Sequence, residues 1–504
     1  QMTTSRTPVL VGVAQYSDRD GAPGNALSPP DMLARVGAAA MADCGGRVIS
    51  IDALAVVRLF ADSSPSFSSP FGSYTNLPRS MARRMGQSPG RLLYGPVGGN
   101  TPQMLVNLLA DDIRHGDIDV AMVAGCESLR SQSKALKAGL ALHWSEDTGD
   151  GPDTLGEETP LASPHEMAHG IELPVNVYPL FENALGVHYG RSPVEHRRQL
   201  GALMARFTQV AAAHTHAALP VARTADELIT PSHENRLVAY PYTKYLSSNM
   251  FVDQAAALLL MSTDCADRSG VPASKRVHLH GSADTHEKIF VSERVDYHSS
   301  PSIRVGAARA LAQAGLGVAE LDHIDLYSCF PAAVEMAADM IGLGHDDPRG
   351  LTLTGGLPYF GGPGNNYSMH AIAEVVGRCR SRPGSNGFVF ANGGYLTKHS
   401  FGIYSTAPAQ GWMRIDPAID QIEIDAMTSP SFTEAPSGQG SIETFSVVHD
   451  RGLPAWAIVI GRLDDGRRFL SQMVDGLDEL IDRPAIGRRI AVVAGHPVNR
   501  ARWV

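Results

Sequence analysis

Ile113-Arg-His-Gly-Asp-Ile-Asp-Val-Ala-Met-Val-Ala-Gly-Cys-Glu-Ser128 closes a helix, turns at a glycine and enters an apolar strand. Upstream, the glycine loop Gly95-Pro-Val-Gly-Gly-Asn100 opens that helix, with apolar residues at 104, 105, 108, 109 and 113 in helical spacing. A helix over Asp31 to Ala42 and a strand over Ile51 to Leu59 come before it. The second half of the chain repeats this order. A helix near 302–314 precedes the strand Ile324 to Ser328, a second glycine loop (Gly355 to Gly364) opens a helix from Asn366 to Arg378, and the strand Gly387 to Asn392 follows. Alternating strand, loop and helix predict parallel sheet with crossover helices, here in two similar halves.

Between Arg130 and Asn249 the pattern breaks into a mixed stretch at 146–172 and one long helix, Val194 to His214. This reads as a subdomain inserted into the first half, to which the strand Gln254 to Met261 returns. Beyond Ser405, a Ser-, Pro- and Gly-rich linker at 428–439 leads to strands at Ile442 to His449, Ala455 to Leu463, Arg467 to Met473 and Arg489 to Gly495. Asp465-Gly466 suits a hairpin turn, and a small antiparallel barrel is predicted.

The 504 residues exceed one core, and the 43% of apolar residues suffice to build several. The net charge of −10 argues against nucleic-acid or anionic-membrane binding. No apolar run approaches the roughly 20 residues of a membrane span. The apolar run Pro8 to Ala14 is too short for a secretory signal. Five cysteines without a CxxC pair point to a reducing cytoplasm.

The stretch quoted first resembles the thiolase superfamily, whose helix end and strand precede a Gly-x-Glu-Ser turn. Asp253-Gln-Ala-Ala-Ala257 resembles its Asp-Gly-Ala-Ala-Ala strand. Tyr327-Ser-Cys-Phe330 stands where relatives carry Asn-Glu-Ala-Phe or, in the sterol-carrier-protein-linked branch, His-Asp-Cys-Phe. Gly361-Gly-Pro363 stands at Gly-His-Pro. The likeness spans about residues 5 to 408. It implies a duplicated thiolase fold: two βαβαβαββ-type halves in five layers, α/β/α/β/α, with a loop subdomain and an OB-like C-terminal barrel. The expected boundaries are 1–129 plus 250–275 for the first half, 130–249 for the loop subdomain, 276–408 for the second half and 409–504 for linker and barrel.

The departures bear on function. Thiolases attack a thioester with a cysteine at a helix N-terminus, where backbone N–H groups and the macrodipole stabilise a thiolate. By the resemblance that position is Gly99, the activating histidine is replaced by Gly362, the acid–base cysteine by Ala391, and the oxyanion Asn or His by Tyr327. Losing one such group typically costs about 10³ to 10⁶ in rate. The reading is therefore a thiolase-like protein, akin to bacterial acetyl-CoA acetyltransferases of the superfamily, that handles an acyl-CoA without Claisen or thiolysis chemistry.

Three residues remain as catalytic candidates: Tyr327 at a strand end, Cys329 beside it, and His399 after the second glycine turn. Each also has a plain structural reading: space filling, a buried thiol and a loop hydrogen bond. They would support an alternative, an acyl-CoA lyase or acyltransferase using Tyr327 and His399; some relatives that cleave steroid side-chain adducts pair a tyrosine here with an OB-fold partner. A third reading is a scaffold that recruits a subunit through its barrel. Glu195 to Arg198 and Lys134 to Lys137 are either solvated helix faces or phosphate contacts for coenzyme A. His370 lies one turn inside its helix, and His278 with His280 lacks a third ligand, so no metal is expected. Coenzyme A or an acyl-CoA is the expected ligand, no cofactor is required, and the protein is a monomer or homodimer.

Overall fold

The computed structural model describes residues 6–47, 50–156, 158–409 and 411–504; the first five residues of the expected first half lie outside it. The first half runs β1 (Pro8–Asp18), α1 (Pro29–Asp43), β2 (Ala53–Val56), α2 (Leu77–Arg84), β3 (Arg91–Tyr94), α3 (Thr101–His115) and β4 (Val120–Ser128). The insertion holds α4 (Leu129–Lys137), β5 (Asp153–Thr154), α5 (Pro164–Ala168), α6 (Pro174–His188), α7 (Pro193–Ala212), α8 (Ala225–Ile229), β6 (Leu237–Tyr240) and β7 (Tyr242–Thr243). The first half ends in β8 (Asp253–Ser262) and α9 (Thr263–Arg268). The second half runs β9 (Val277–His286), α10 (Pro301–Ala314), β10 (His323–Leu326), α11 (Pro331–Ile341), α12 (Tyr367–Ser381), β11 (Gly387–Gly393) and β12 (Lys398–Ser405).

The first sheet has the order β3-β2-β4-β8-β1, with β8 antiparallel to its neighbours. The second repeats it as β10-β11-β12-β9, with β12 antiparallel, and the two join edge to edge into one ten-stranded order where Val9 and Leu10 of β1 pair with His278 and Val277 of β9. The second sheet is one strand short: beyond β10 lies an irregular segment, joined by Leu326 N–H to the carbonyl of Leu351. A shared detail confirms the duplication. A Cβ on Gly12 of β1 would overlap the Ala40 carbonyl of α1, and one on Gly281 of β9 would overlap the Ala310 carbonyl of α10. Strand and helix approach too closely there for any side chain. Helices α3 and α12 touch each other between the two sheets, with α1 outside one sheet and α10 outside the other, which produces the five layers.

Two edges are covered by the insertion. β5 adds to β3 at Leu93 and Tyr94, closing that edge to strand addition. β6 adds to the C-terminal barrel, pairing Ala239 and Tyr240 with Val448 and Val447.

The C-terminal part comprises α13 (Pro417–Asp425), β13 (Ser437–Asp450), β14 (Leu453–Leu463), β15 (Arg468–Met473), β16 (Arg489–Val493) and β17 (Arg500–Trp503). These five strands close into a barrel, β14-β15-β17-β16-β13 and back to β14. Its hairpin turn falls at Asp465-Gly466, as expected, with Gly466 at φ +91°. The linker reading at 428–439 needs correction at its end: Ser437 to Gln439 pair with Val493 to Ala491 as strand. Helix α13, which lies before that stretch and was not expected from the sequence, docks on the second half through Asp420 to Arg309 at 2.8 Å. The fully buried Arg468 anchors the barrel, bonded to Glu443 and to the carbonyls of Ser292, Arg294 and Val295.

Candidate functional site

Each half presents a glycine turn to the mouth of a central helix. Thr101 N–H closes the first turn on the Gly98 carbonyl, and Gly98 takes φ +147°. Asn100 and Asn366 stand at the caps of α3 and α12, yet neither side chain caps its own helix. Asn100 instead reaches across to Ser400 of the other half at 3.4 Å, while Asn366 lies over Gly125 of β4. Two bonds clasp the mouths together: Gly98 N–H to Asn365 Oδ1 at 3.1 Å, and Ser368 Oγ to the Gly99 carbonyl at 3.1 Å.

The place expected for a nucleophile holds no cavity. A Cβ on Gly99 would overlap the Tyr327 hydroxyl and the Asn392 carbonyl, and would lie 2.6 Å from Tyr327 Cζ. Tyr327 is buried, meets Tyr367 edge-on at 5.6 Å, and has its hydroxyl pushed far above the phenol range by burial, with the Cys329 thiol adding to this. No hydrogen bond links it to a titratable side chain among the described residues. At Gly362 a Cβ would overlap Ser248 Oγ, so a serine from the insertion stands near the vanished imidazole. Ala391 is a fully buried residue of β11 paired with Ser400.

Cys329 and Tyr327 come together, but His399 does not join them. Burial pushes the Cys329 thiol up to about 12. Tyr178 of α6 is a hub: its hydroxyl donates to the Gly394 carbonyl at 3.0 Å and accepts from Asn392 Nδ2 at 2.8 Å and Leu396 N–H at 3.2 Å. His399 bonds through Nδ1 to Ser302 Oγ of α10 at 2.7 Å, facing the outer layer, and burial holds its pKa far below the usual imidazole value. The expectation that the turn carries this ring to the cleft is not met, because strand alternation gives the inner face to its neighbours. Lys398 reaches the Val97 carbonyl at 2.9 Å, its pKa lowered by burial, and Ser400 binds Asp284 at 2.7 Å. Lys398 and Tyr178 escaped the sequence reading; period-two alternation from His399 would have found the lysine.

His370 bonds Gln15 through Nδ1 at 2.9 Å and is fully buried. His280 bonds the Ala407 carbonyl, and burial lowers His278 to about 4, so this pair is structural.

A separate groove of about 530 Å³ opens between the first half and the insertion, with Arg19, Lys134, Lys137, Arg236 and Lys244 among its lining. None of these five cations has a carboxylate ion-pair partner among the described residues. Phe251, 58% exposed, supplies an apolar wall. Lys134 and Lys137 thus line this groove unpaired, whereas the 195–198 stretch is held by partners of its own. His196 is buried against Glu182, Arg197 pairs with Asp482 at 2.8 Å, and Arg198 pairs with Glu195.

Residues 421–495 match the family model described as the thiolase-like protein type 1 additional C-terminal domain. The chain is similar to a crystallised monomeric SCP2-thiolase like protein type 1 (STLP1) from Mycobacterium smegmatis, at 36% identity over 99% of both chains and a TM-score of 0.85. Acetyl-CoA acetyltransferase from Syntrophomonas wolfei shares the fold at 16% identity, with 80% of this chain and 100% of that one covered and a TM-score of 0.57. So does the Ltp2-ChsH2(DUF35) aldolase, at 16% identity over 80% of this chain and 98% of that one, TM-score 0.58. No curated protein matches the chain. With identity above 30% across nearly its whole length, the chain belongs to the SCP2-thiolase-like protein type 1 family.

Proposed function

We propose that this protein binds coenzyme A or an acyl-CoA in the basic groove and does not carry out Claisen condensation or thiolysis. The carrying observation is the filled position at Gly99, where Tyr327 and the Asn392 carbonyl leave no room even for a methyl group. Nucleophilic catalysis needs an activated group beside a base. Here the neighbouring thiol, Cys329, is buried and held protonated at neutral pH, and Gly362 supplies no imidazole. The five unpaired cations suit the phosphates of the nucleotide end, and Phe251 suits its apolar or aromatic part.

The lyase or acyltransferase reading gains nothing from Tyr327 and His399, which face different layers. Like its monomeric relative, the chain is read as a monomer, in keeping with the edge that β5 covers. No described helix is long and apolar enough to cross a membrane, and all five cysteines are unpaired, which suits a reducing compartment such as the cytoplasm.

The test is calorimetric titration with coenzyme A beside an assay with acetoacetyl-CoA and free coenzyme A. Binding without cleavage is expected, and Lys134→Ala/Lys137→Ala should weaken binding and flatten its salt dependence. Thiolysis at ordinary enzyme rates would refute the filled-site reading. Absence of binding would leave the barrel scaffold as the better account.

A further inference from the structure

Glu182 of α6, His196 of α7 and Glu335 of α11 bring their polar atoms within 4.8 Å of one another, all nine-tenths or more buried. They sit where the insertion meets the second half, far in sequence from the helix mouths. Glu182 Oε2 lies 2.8 Å from His196 Nε2, and Glu182 Oε1 accepts from the Tyr242 hydroxyl at 2.8 Å. Arg191 lies 3.3 Å from His196 Nδ1 and 3.9 Å from Glu335 Oε2. A guanidinium only donates, so Nδ1 accepts and the ring hydrogen is on Nε2, pointing at Glu182. A nitrogen carrying that hydrogen is not a metal ligand, so this is not read as a metal site.

What remains is the close approach of two buried carboxyl groups, Glu182 and Glu335, whose oxygen atoms lie within 4.8 Å of each other. Two carboxylates sharing one buried site repel each other, so one of them keeps a proton. Two buried negative charges here would face a single guanidinium at the rim. We propose that one proton held between Glu182 and Glu335 latches the insertion onto the second half, and that alkaline solution loosens this latch.

The consequence reaches further because α6 carries three contacts. Tyr178 holds the turn at Gly394 to Leu396 beside the helix mouth, Glu182 holds α11, and α6 also holds the barrel. The barrel contacts are Asn183 to the Phe445 carbonyl at 2.9 Å and Thr444 to the Leu180 carbonyl. Releasing the latch therefore loosens the support of the mouth and of β13.

The groups facing the latch agree in sign. Burial first, and then the Glu182 charge, raise Glu335 well above the carboxylate range, with Arg191 opposing and Asp339 on the same helix adding to the rise. Burial opposes ionisation of Glu182, but hydrogen bonds from His196, Glu335 and Tyr242 hold it below its usual value. Tyr189 and Tyr242, also packed here, are raised and stay protonated. A carboxyl that keeps its proton only when folded stabilises fully below about pH 4, and that contribution falls as pH rises toward its folded value.

The test compares amide exchange of residues 176–188 in the wild-type chain and in Glu335→Gln at matched pH, where the Gln amide donates to Glu182 without titrating. Near-equal rates at about pH 4 are expected, with the wild-type rate relative to the variant rising by up to about tenfold per pH unit above that and levelling off once Glu335 ionises in the folded chain. A pH-independent ratio overturns the proposal. Arg191→Met tests the same latch in a chain that keeps both carboxyls, and should move the pH at which the loosening levels off upward. An unmoved upper limit overturns it even if Glu335→Gln does not fold.

Discussion

The mouths of α3 and α12 come from the same element order, and both are vacant of the expected reactive group, but they are closed by different means. At Gly99 the filling is rigid: a tyrosine ring wedged edge-on against Tyr367, and a strand carbonyl from Asn392. At Gly362 it is a single serine hydroxyl on a loop of the insertion, with Leu357 at 3.3 Å behind it. A position that loses its side chain is not left as a hole, because close packing rewards whichever neighbour can reach it. Which neighbour reaches it decides how reversible the closure is.

Tyr327→Ala should have the largest effect, since it empties the space over Gly99. A loss of about 3–5 kcal/mol of stability is expected in chemical denaturation, the range for a large buried ring. A loss under about 1 kcal/mol would show that the ring does not fill the mouth. Next, Gly99→Ala should cost about 1–3 kcal/mol through overpacking. Combined with Tyr327→Phe, which removes the overlapping hydroxyl, it should cost less than the two singles together, and strict additivity would break the account.

The α12 mouth is also backed by two buried acids. Burial raises Asp325, which is bonded to Tyr367, to about 7, and Glu127, beside Gly364, to about 8. Both hold protons when folded, so their stabilisation is complete below about pH 4 and is lost as pH rises toward 7 and 8. Asp325→Asn should therefore flatten the fall in thermal midpoint between pH 4 and 7, and Glu127→Gln should extend the flattening to pH 8. An unchanged slope in both would place the titration elsewhere. The smallest effect is expected of Gly362→Ala, within about 1 kcal/mol, because the Ser248 hydroxyl can rotate away. If it costs as much as Gly99→Ala, the two mouths are equally rigid and the contrast fails.

Much of the frame was legible because it rests on periodicity. α1, α3, α10 and α12 all fall where apolar spacing and the glycine loops place them. The barrel strands also follow alternation, apart from the short β17, whose four residues carry little pattern. Helix α6 was missed because Pro179 stands inside it and its apolar residues run round the whole helix, as burial on several sides requires. His399 was placed by the length of its turn, but it lies within β12, where strand parity turns it to Ser302 and away from the cleft.

The amino-acid order alone determined the duplication, the inserted subdomain, the barrel and the absence of cysteine and histidine at two helix mouths, since each is a property of local pattern and residue identity. Only tertiary structure decided what stands in those mouths, that the insertion lends a strand to the barrel and another to the first sheet, and that Glu182 and Glu335 meet. Such contacts join residues 60 or more positions apart, and whether two side chains share one space depends on the packing of entire layers, which no local window contains.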